Sequence, residues 1–321
     1  MTASAPSLEQ IRKTIGNYSI ASIRNWLKRC DVPHTANTRN EIAERVHNAI
    51  TKGDITLDGL VAAMIGIEEA SSKRTFLYRI PNTPDDIEHI SQQLADLKMK
   101  LSTERIAASS PTPTTKVVYV INGPEELRVK WTELHKRVKA IRKTREWVEE
   151  NVPKIIVLIV NKVTGLVQLR YDKPEDEHNH TEEGDSTDHA YFAYFKEQAE
   201  NLIGHPLEPV ELRSSLEAIL KAEPRVVRTS YTVDESSDGG YTQRAQKQKN
   251  RDVRDLAEWQ YVLKDKTVRT FEEAPVKWLK EMSQASLNRE VYSYIDAANG
   301  MVRFDADCYE EEIEYVLGKL V

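Results

Sequence analysis

Residues 155–171 read Ile-Ile-Val-Leu-Ile-Val-Asn-Lys-Val-Thr-Gly-Leu-Val-Gln-Leu-Arg-Tyr, and they indicate the class of fold more firmly than any other segment. The stretch contains two runs rich in β-branched and aliphatic residues, Ile155 to Val160 and Leu166 to Tyr171, which are typical of strands. A turn signal, Lys162 to Gly165, lies between them. The spacing therefore predicts a β-hairpin and, with it, antiparallel pairing.

The surrounding sequence predicts further strands and helices, which together with this hairpin make up the larger part of the chain, the body. Glu290 to Phe304 predicts a second strand–turn–strand, centred on Asn299-Gly300. Strands mixed with helices, several of them joined as hairpins, favour an α+β fold with a mixed, largely antiparallel sheet. Further strands are predicted at 73–80, 116–121 and 226–233, helices near 191–203, 209–222 and 309–320, and a mobile loop at 234–250.

Short helices precede this body and predict a small helical domain. Leu8, Ile11 and Ile15 recur at helical spacing. Ser19 or Ser22 is a typical N-cap for a second helix, and Thr38 for a third. The expected helices cover about 8–15, 20–30, 39–50 and 57–70.

We divide the chain into three parts: a helical head at 1–80, a helix with a linker at 81–115, and an α+β body at 116–321. Apolar residues between Asp85 and Ile106 follow heptad spacing and predict one helix. Ser109 to Thr115 is rich in Pro, Ser and Thr, as linkers are.

The most concentrated positive charge lies early in the body. Arg128 to Arg145 holds eight Lys or Arg and a single acid, Glu133. Apolar residues at 127, 131, 134, 138 and 141 predict a basic amphipathic helix that begins near Pro124. Its charged face is interpreted as a second phosphate-facing surface, as a dock for the acidic stretch 172–188, or as a plain solvated face. The phosphate interpretation assigns Arg137, Arg142 and Lys143.

Composition restricts the classes of protein. Hydrophobic residues make up 40% and charged residues 30%, as in globular domains. The longest apolar run, Ile155 to Val160, is far shorter than the roughly 20 residues of a membrane span. Two cysteines and no signal peptide favour a cytoplasmic protein without membrane contact.

The net charge of −6 is distributed unevenly along the chain, since residues 1–53 carry +4 and the remainder −10. A basic head is compatible with nucleic-acid contact.

Tyr18 to Ile50 resembles the SAP motif, a helix–extended loop–helix unit of many DNA-associated proteins. The family pattern has a Leu-Lys pair, a leucine, a loop ending in a small residue, glycine and lysine, and finally Glu-Leu-x-x-Arg-Leu. The family's glycine falls on Asn37, the residue type that next best tolerates positive φ. The other matching residues are Ile23-Arg24, Leu27, Val32-Pro33, Ala36, Thr38-Arg39 and Glu41-Ile42-Ala43-Glu44-Arg45-Val46.

The resemblance implies that the loop and the start of the second helix of the motif face a DNA backbone. Helix N-termini offer free N–H groups and partial positive charge to phosphate. Arg39 would lie at that terminus, with Arg24, Lys28 and Arg29 on the preceding helix. The expected partners are DNA, through the head, and a protein partner or a second copy, through the body. DNA binding would place the protein at the nucleoid or the nucleus.

Two alternatives remain open. In one, the chain is a pure protein-interaction module without nucleic acid. In the other, Asp305 and Asp307, two apart after a predicted strand, act in a metal-dependent nuclease of unrecognised type. The sequence has no Walker loop, no G-x-G-x-x-G, no G-x-S-x-G and no H-E-x-x-H. We therefore expect no cofactor and no resident metal, and we favour a non-enzymatic protein.

Overall fold

The computed structural model describes residues 6–16, 18–80, 90, 92–96, 99–108, 111–141, 146–174, 187–222, 224–229, 231–236, 239–244, 252–255, 270–304 and 306–321. The helices are α1 (Leu8–Ile15), α2 (Ile20–Arg29), α3 (Arg39–Lys52), α4 (Leu57–Ala70), α5 (Thr187–Ile203), α6 (Arg213–Lys221) and α7 (Glu310–Leu317). The strands are β1 (Lys73–Arg79), β2 (Lys116–Asn122), β3 (Glu126–Ile141), β4 (Glu146–Asn161), β5 (Leu166–Asp172), β6 (Glu208–Pro209), β7 (Val227–Thr229), β8 (Tyr231–Ser236), β9 (Gly239–Arg244), β10 (Thr270–Trp278), β11 (Val291–Asp296) and β12 (Met301–Phe304). Across these residues, no helix has both the length and the apolar character needed to cross a bilayer.

The four head helices form where the sequence predicts them, because local side chains satisfy their first N–H groups. The hydroxyl of Ser19 accepts a hydrogen bond from the Ser22 N–H, and that of Thr38 from the Glu41 N–H. The third helix ends at Gly53, whose φ of 80° suits glycine. The apolar faces of α1 to α4 meet in a core that includes Ile23, Ile42, Val46 and Leu60.

One sheet runs through the body, in the order β2-β3-β4-β5-β1-β12-β11-β10-β8-β9, and β6 and β7 pair with β1 and β10. All pairs between these named strands are antiparallel, so the α+β prediction is confirmed. The hairpin predicted at 155–171 is β4–β5. The second, around Gly300, is β11–β12.

The division at residues 80 and 115 stays a prediction, and the sheet runs across it. β1 belongs to the predicted head but lies between β5 and β12. Residues of the predicted linker also contact β3: the Leu134 N–H donates to the Thr112 carbonyl, and the Thr115 hydroxyl to Glu133. Because β1 follows α4 in the chain, helix α4 leads directly into the middle of the sheet.

The single helix predicted over 85–106 is wrong in its second half. Among the described residues, 90 and 92–96 are helical, whereas 99–108 are not. Leu101 instead forms an isolated parallel bridge with Val120 at the edge strand β2. Its side chain is exposed, while Ile90 and Leu94 are buried. An edge strand has unpaired backbone groups, and this contact overrides the heptad spacing.

The basic amphipathic helix predicted over 124–145 is also wrong. Residues 126–141 form the strand β3, which pairs with β4 along its whole length. Leu127, Val129 and Trp131 alternate on one buried face. Arg128 and Lys130 are buried on the other face, where carboxylates from distant segments neutralise them. The alternation of Leu127, Val129 and Trp131 with charged residues is itself a strand signal, and it competes in the sequence with the helical spacing of 127, 131, 134, 138 and 141.

The mobile loop predicted over 234–250 is corrected in part. Residues 231–236 and 239–244 form the β8–β9 hairpin, and the loop's last residues, 245–250, lie outside the described residues. Gly239 and Gly240 pair with Ser236 and Glu235, respectively. Composition predicted a loop because glycine and serine bury little surface, but antiparallel pairing needs only backbone groups.

Candidate nucleic-acid interface

The predicted binding segment of the head is a helix, an extended loop and a second helix, formed by α2, residues 30–38 and α3. The side chain of Arg39, at the first turn of α3, reaches back to the end of α1. Its Nη1 donates to the carbonyls of Gly16 at 2.6 Å and Tyr18 at 2.9 Å. The last carbonyls of a helix lack internal partners and carry partial negative charge. Arg39 thus links α1 to α3 and is exposed on its outer side.

The N-terminus of α3 is capped by its own side chains. The Glu41 carboxylate accepts a hydrogen bond from the Asn37 N–H at 2.7 Å, and the Thr38 hydroxyl accepts one from the Glu41 N–H at 3.2 Å. The Asn37 hydrogen bond lowers the pKa of Glu41. A carboxylate therefore occupies the place where the resemblance implies a phosphate.

We predict that Arg39→Gln acts on folding. The substitution removes the charged donor at the end of α1, and we expect it to lower the free energy of unfolding by about 1–2 kcal/mol in urea. Arg45→Gln is the matched control, because Arg45 is exposed on the same helix, and its loss should stay below about 0.5 kcal/mol. An Arg39→Gln variant with unchanged stability and impaired DNA binding would contradict this prediction and would indicate that Arg39 contacts phosphate.

Two basic residues at the end of α2, Lys28 and Arg29, face the body. A cleft of about 440 Å³ lies between α2, the residues before β11 and the start of α7. Lys28 and Arg29 reach it from the head, and Arg289 reaches it from the body. Arg24 lies on α2, half-buried, and does not line the cleft. The remaining lining residues are Asn25, Asn288, Tyr309 and Glu312.

Charge in the cleft is arranged around the ring of Tyr309. The guanidinium carbon of Arg29 lies 3.9 Å from the ring centroid, and that of Arg289 lies 5.8 Å from it. Arg29 also pairs with Glu311, and Arg289 donates twice to Glu312 at 2.9 Å. Lys28 is exposed and forms no ion pair with the described residues. The cleft therefore offers one freely hydrated cation beside two that are held in place.

Sequence reasoning missed Arg289 and Asn288. They lie about 260 residues after Lys28, in a stretch that forms neither helix nor strand. Their only relation to α2 is spatial, through the packing of α7 against the head. A single sequence carries no periodic signal for such a pairing, since periodicity reports only the face of one element.

The other predicted phosphate contacts lie far along the chain from the cleft. Arg137 lies on β3 and pairs across the ladder with Glu150 on β4. Arg142 and Lys143 lie outside the described residues. The structure therefore brings Lys28 and Arg29 together with a body residue, and it places Arg137 on a strand instead of a helix.

Asp307, one of the two carboxylates of the nuclease alternative, links the head to the body. It accepts hydrogen bonds from the hydroxyls of Ser19, Ser22 and Ser71. Ser19 is the N-cap of α2, so the carboxylate also lies where a helix favours negative charge. Asp305 lies outside the described residues. The geometry at Asp307 indicates a structural role.

A buried network of charges joins the head to the sheet. Glu69 at the end of α4 is fully buried and contacts Arg105, Arg128 and Lys130. The Tyr119 hydroxyl donates to it at 2.8 Å. Glu68 accepts from the Tyr18 hydroxyl and from Lys130. These ion pairs of Glu68 and Glu69 fix the position of α4 on the sheet. They thereby also fix the position of the head and of the cleft at α2.

Comparison of the sequence with protein-family models and with curated proteins finds no match.

Proposed function

We propose that this protein is a non-enzymatic nucleic-acid-associated protein whose SAP-like head contacts a phosphate backbone. The observation that carries the proposal is the cleft beside α2, where Lys28, Arg29 and Arg289 converge with two asparagine side chains. Arginine, lysine and asparagine are side chains that proteins use to contact DNA phosphates. The contact region differs from the one the resemblance implies, because Glu41 caps the N-terminus of α3.

The physical chemistry of the cleft favours weak, sequence-independent binding. Arg29 and Arg289 are held against Tyr309, so little side-chain entropy is lost when they meet a phosphate. Glu311 and Glu312 offset part of their charge. With about three phosphate contacts, the slope of log K against log salt should be roughly −3. Such a protein would act in the cytoplasm, or at the nucleoid or nucleus, with its body engaging a protein partner or a second copy.

We predict that Lys28→Glu weakens duplex binding by the full chain roughly tenfold and makes the salt slope shallower by about one to two units. Lys28 is exposed, so the thermal midpoint should not change. Fluorescence anisotropy with a short labelled duplex, between about 50 and 200 mM salt, measures both quantities. Arg45→Glu is the matched control, because it reverses an exposed charge on α3, outside the cleft lining.

Two outcomes would contradict the proposal. Equal losses of duplex affinity for Lys28→Glu and Arg45→Glu would show that binding depends on the overall charge of the head and that the cleft is not the binding site. No binding by the folded wild-type chain at low salt would remove nucleic acid from the function. In that case the protein-interaction module, in which the same cleft receives an acidic protein segment, becomes the better interpretation.

A further inference from the structure

The cleft beside α2 holds hydrogen-bonding groups that the ion pairs around Tyr309 do not use. Asn25 lines it from α2 in the head, and Asn288 lines it from the body. Neither side-chain amide has a hydrogen-bond partner among the described residues. Each amide offers an acceptor oxygen and two N–H donors. Head and body therefore both present free donors and acceptors to the same cleft.

The positive charge of the cleft lies entirely on described residues. Three cations line it, namely Lys28, Arg29 and Arg289. Glu312 is the one acid among the described lining residues, which leaves the lining with a net charge of +2. Glu311 pairs with Arg29 without lining the cleft, and counting it leaves +1. A ligand group with one negative charge, such as a single phosphodiester, matches this balance.

The size of the cleft matches a single nucleotide better than a length of backbone. Its volume of about 440 Å³ lies in the range of roughly 300–1,000 Å³ that is typical of small-ligand sites. A duplex keeps its bases paired and stacked, so it would present only its backbone to this cleft. An unpaired nucleotide brings a phosphate and a base together.

The cleft also contains a surface on which a base can stack. Proteins that recognise unpaired bases stack them on aromatic rings or on guanidinium planes, and they hydrogen-bond the edges of the bases. The guanidinium of Arg29 lies over the ring of Tyr309 and its side chain is 33% exposed. A base on the outer side of Arg29 would therefore extend a stack that the protein has already formed.

We infer that the cleft binds one unpaired nucleotide of a single-stranded nucleic acid. Lys28 contacts its phosphate, and its base stacks on Arg29. The amides of Asn25 and Asn288 hydrogen-bond the edge of the base. This inference rests on the proposed function and names the form of the ligand at the same site. Stacking tolerates any sequence, because every base has a π-face.

The test measures binding of the full chain to three labelled probes of equal length: oligothymidylate, an abasic strand and a duplex. The abasic strand keeps the phosphates and lacks the bases. We expect the wild type to bind oligothymidylate roughly tenfold more tightly than the abasic strand. Asn25→Ala combined with Asn288→Ala should weaken oligothymidylate binding roughly fivefold to tenfold. The same double variant should bind the abasic strand and the duplex like the wild type.

Asn48→Ala is the matched control, because Asn48 is an exposed asparagine on the helix α3 and lies outside the cleft lining. It should change none of the three affinities. Circular dichroism of each variant reports folding. Thymidine monophosphate, used as a competitor, should bind roughly a hundredfold more weakly than the strand, because it lacks the neighbouring phosphates. Competition at the affinity of the strand would overturn the single strand as the ligand.

The remaining outcomes separate this inference from the proposed function. If the abasic strand binds as tightly as oligothymidylate and only Lys28→Glu weakens binding, the inference fails and the proposed function stands. If the double asparagine variant loses affinity equally for oligothymidylate and duplex, the amides contact the backbone and the inference fails. If this variant loses affinity for oligothymidylate alone and Lys28→Glu binds every probe normally, the base contact stands and the phosphate contact at Lys28 fails.

Discussion

Glu69→Gln should lower the free energy of unfolding by about 3–5 kcal/mol, although the two side chains have nearly the same shape. Glu69 is fully buried and its carboxylate faces Arg105, Arg128 and Lys130. The amide would remove one of the negative charges that compensate these cations, since Lys130 also pairs with Glu68, and Arg105 and Arg128 with Glu310. It would also place an N–H₂ group, a donor, against other donors. Removing one partner of a buried ion pair is among the most destabilising changes a protein undergoes.

Urea unfolding of the full chain measures this loss, and a double-mutant cycle identifies its origin. Lys130→Met removes one of the cations that Glu69 compensates and keeps much of the side-chain volume. Glu69→Gln combined with Lys130→Met should therefore lose less than the sum of the single variants. Glu217→Gln is the matched control, because Glu217 forms an exposed pair with Lys221 on α6, and its loss should be below about 0.5 kcal/mol. A loss below about 1 kcal/mol for Glu69→Gln would mean that the network is well hydrated.

Acid should destabilise the protein between about pH 4.5 and pH 2, and Glu310 should account for a large share of the change. Burial alone would raise the pKa of Glu310, but Arg128, Arg105 and Arg170 outweigh it and lower the pKa to about 2. The same balance, with Lys130, Arg105 and Arg128, lowers the pKa of Glu69. Both carboxylates bind protons more weakly in the folded chain than in the unfolded chain.

The free energy of unfolding therefore decreases as the pH falls, because the unfolded chain binds these protons more tightly. The stabilisation by Glu310 is complete above the unfolded pKa of about 4.5 and disappears as the pH falls to about 2, which amounts to about 3 kcal/mol. Thermal unfolding of the wild type and of Glu310→Gln across this range measures the effect. The variant should be less stable at neutral pH and should show a shallower fall in acid. Parallel pH profiles for the two proteins would contradict the assignment to Glu310.

The network of charges also affects the cleft, because Glu69 on α4 and Glu310 on α7 both pair with Arg105 and Arg128 and so hold α4 and α7 on the same face of the sheet. α7 carries Glu310 and Glu314, which contact Arg170 on β5. Glu311 and Glu312 on the same helix pair with Arg29 and Arg289 in the cleft. A variant that loosens α7 should therefore alter the cleft, and binding measurements are best confined to variants of unchanged stability.

The elements that depend on nearby residues could be predicted from the sequence. Helices α2 and α3 begin directly after Ser19 and Thr38, because each hydroxyl satisfies the N–H group three residues later wherever the helix lies. The β4–β5 and β11–β12 hairpins follow from alternating or β-branched runs around a turn. These signals are local, so the α+β class followed from them as well.

The tertiary structure alone decided what depends on distant residues. Apolar spacing at 127, 131, 134 and 138 favours a helix, yet residues 126–141 form a strand, because β4 offers a ladder sixteen residues long and Glu69 and Glu310 neutralise Arg128. The same holds for Arg39, which caps α1, and for Arg289, which completes the cleft with Lys28. A lysine or arginine in a sequence has a charge but no partner. Its partner is set by packing between segments far apart in the chain, and that partner determines whether the residue holds the fold together or faces a ligand.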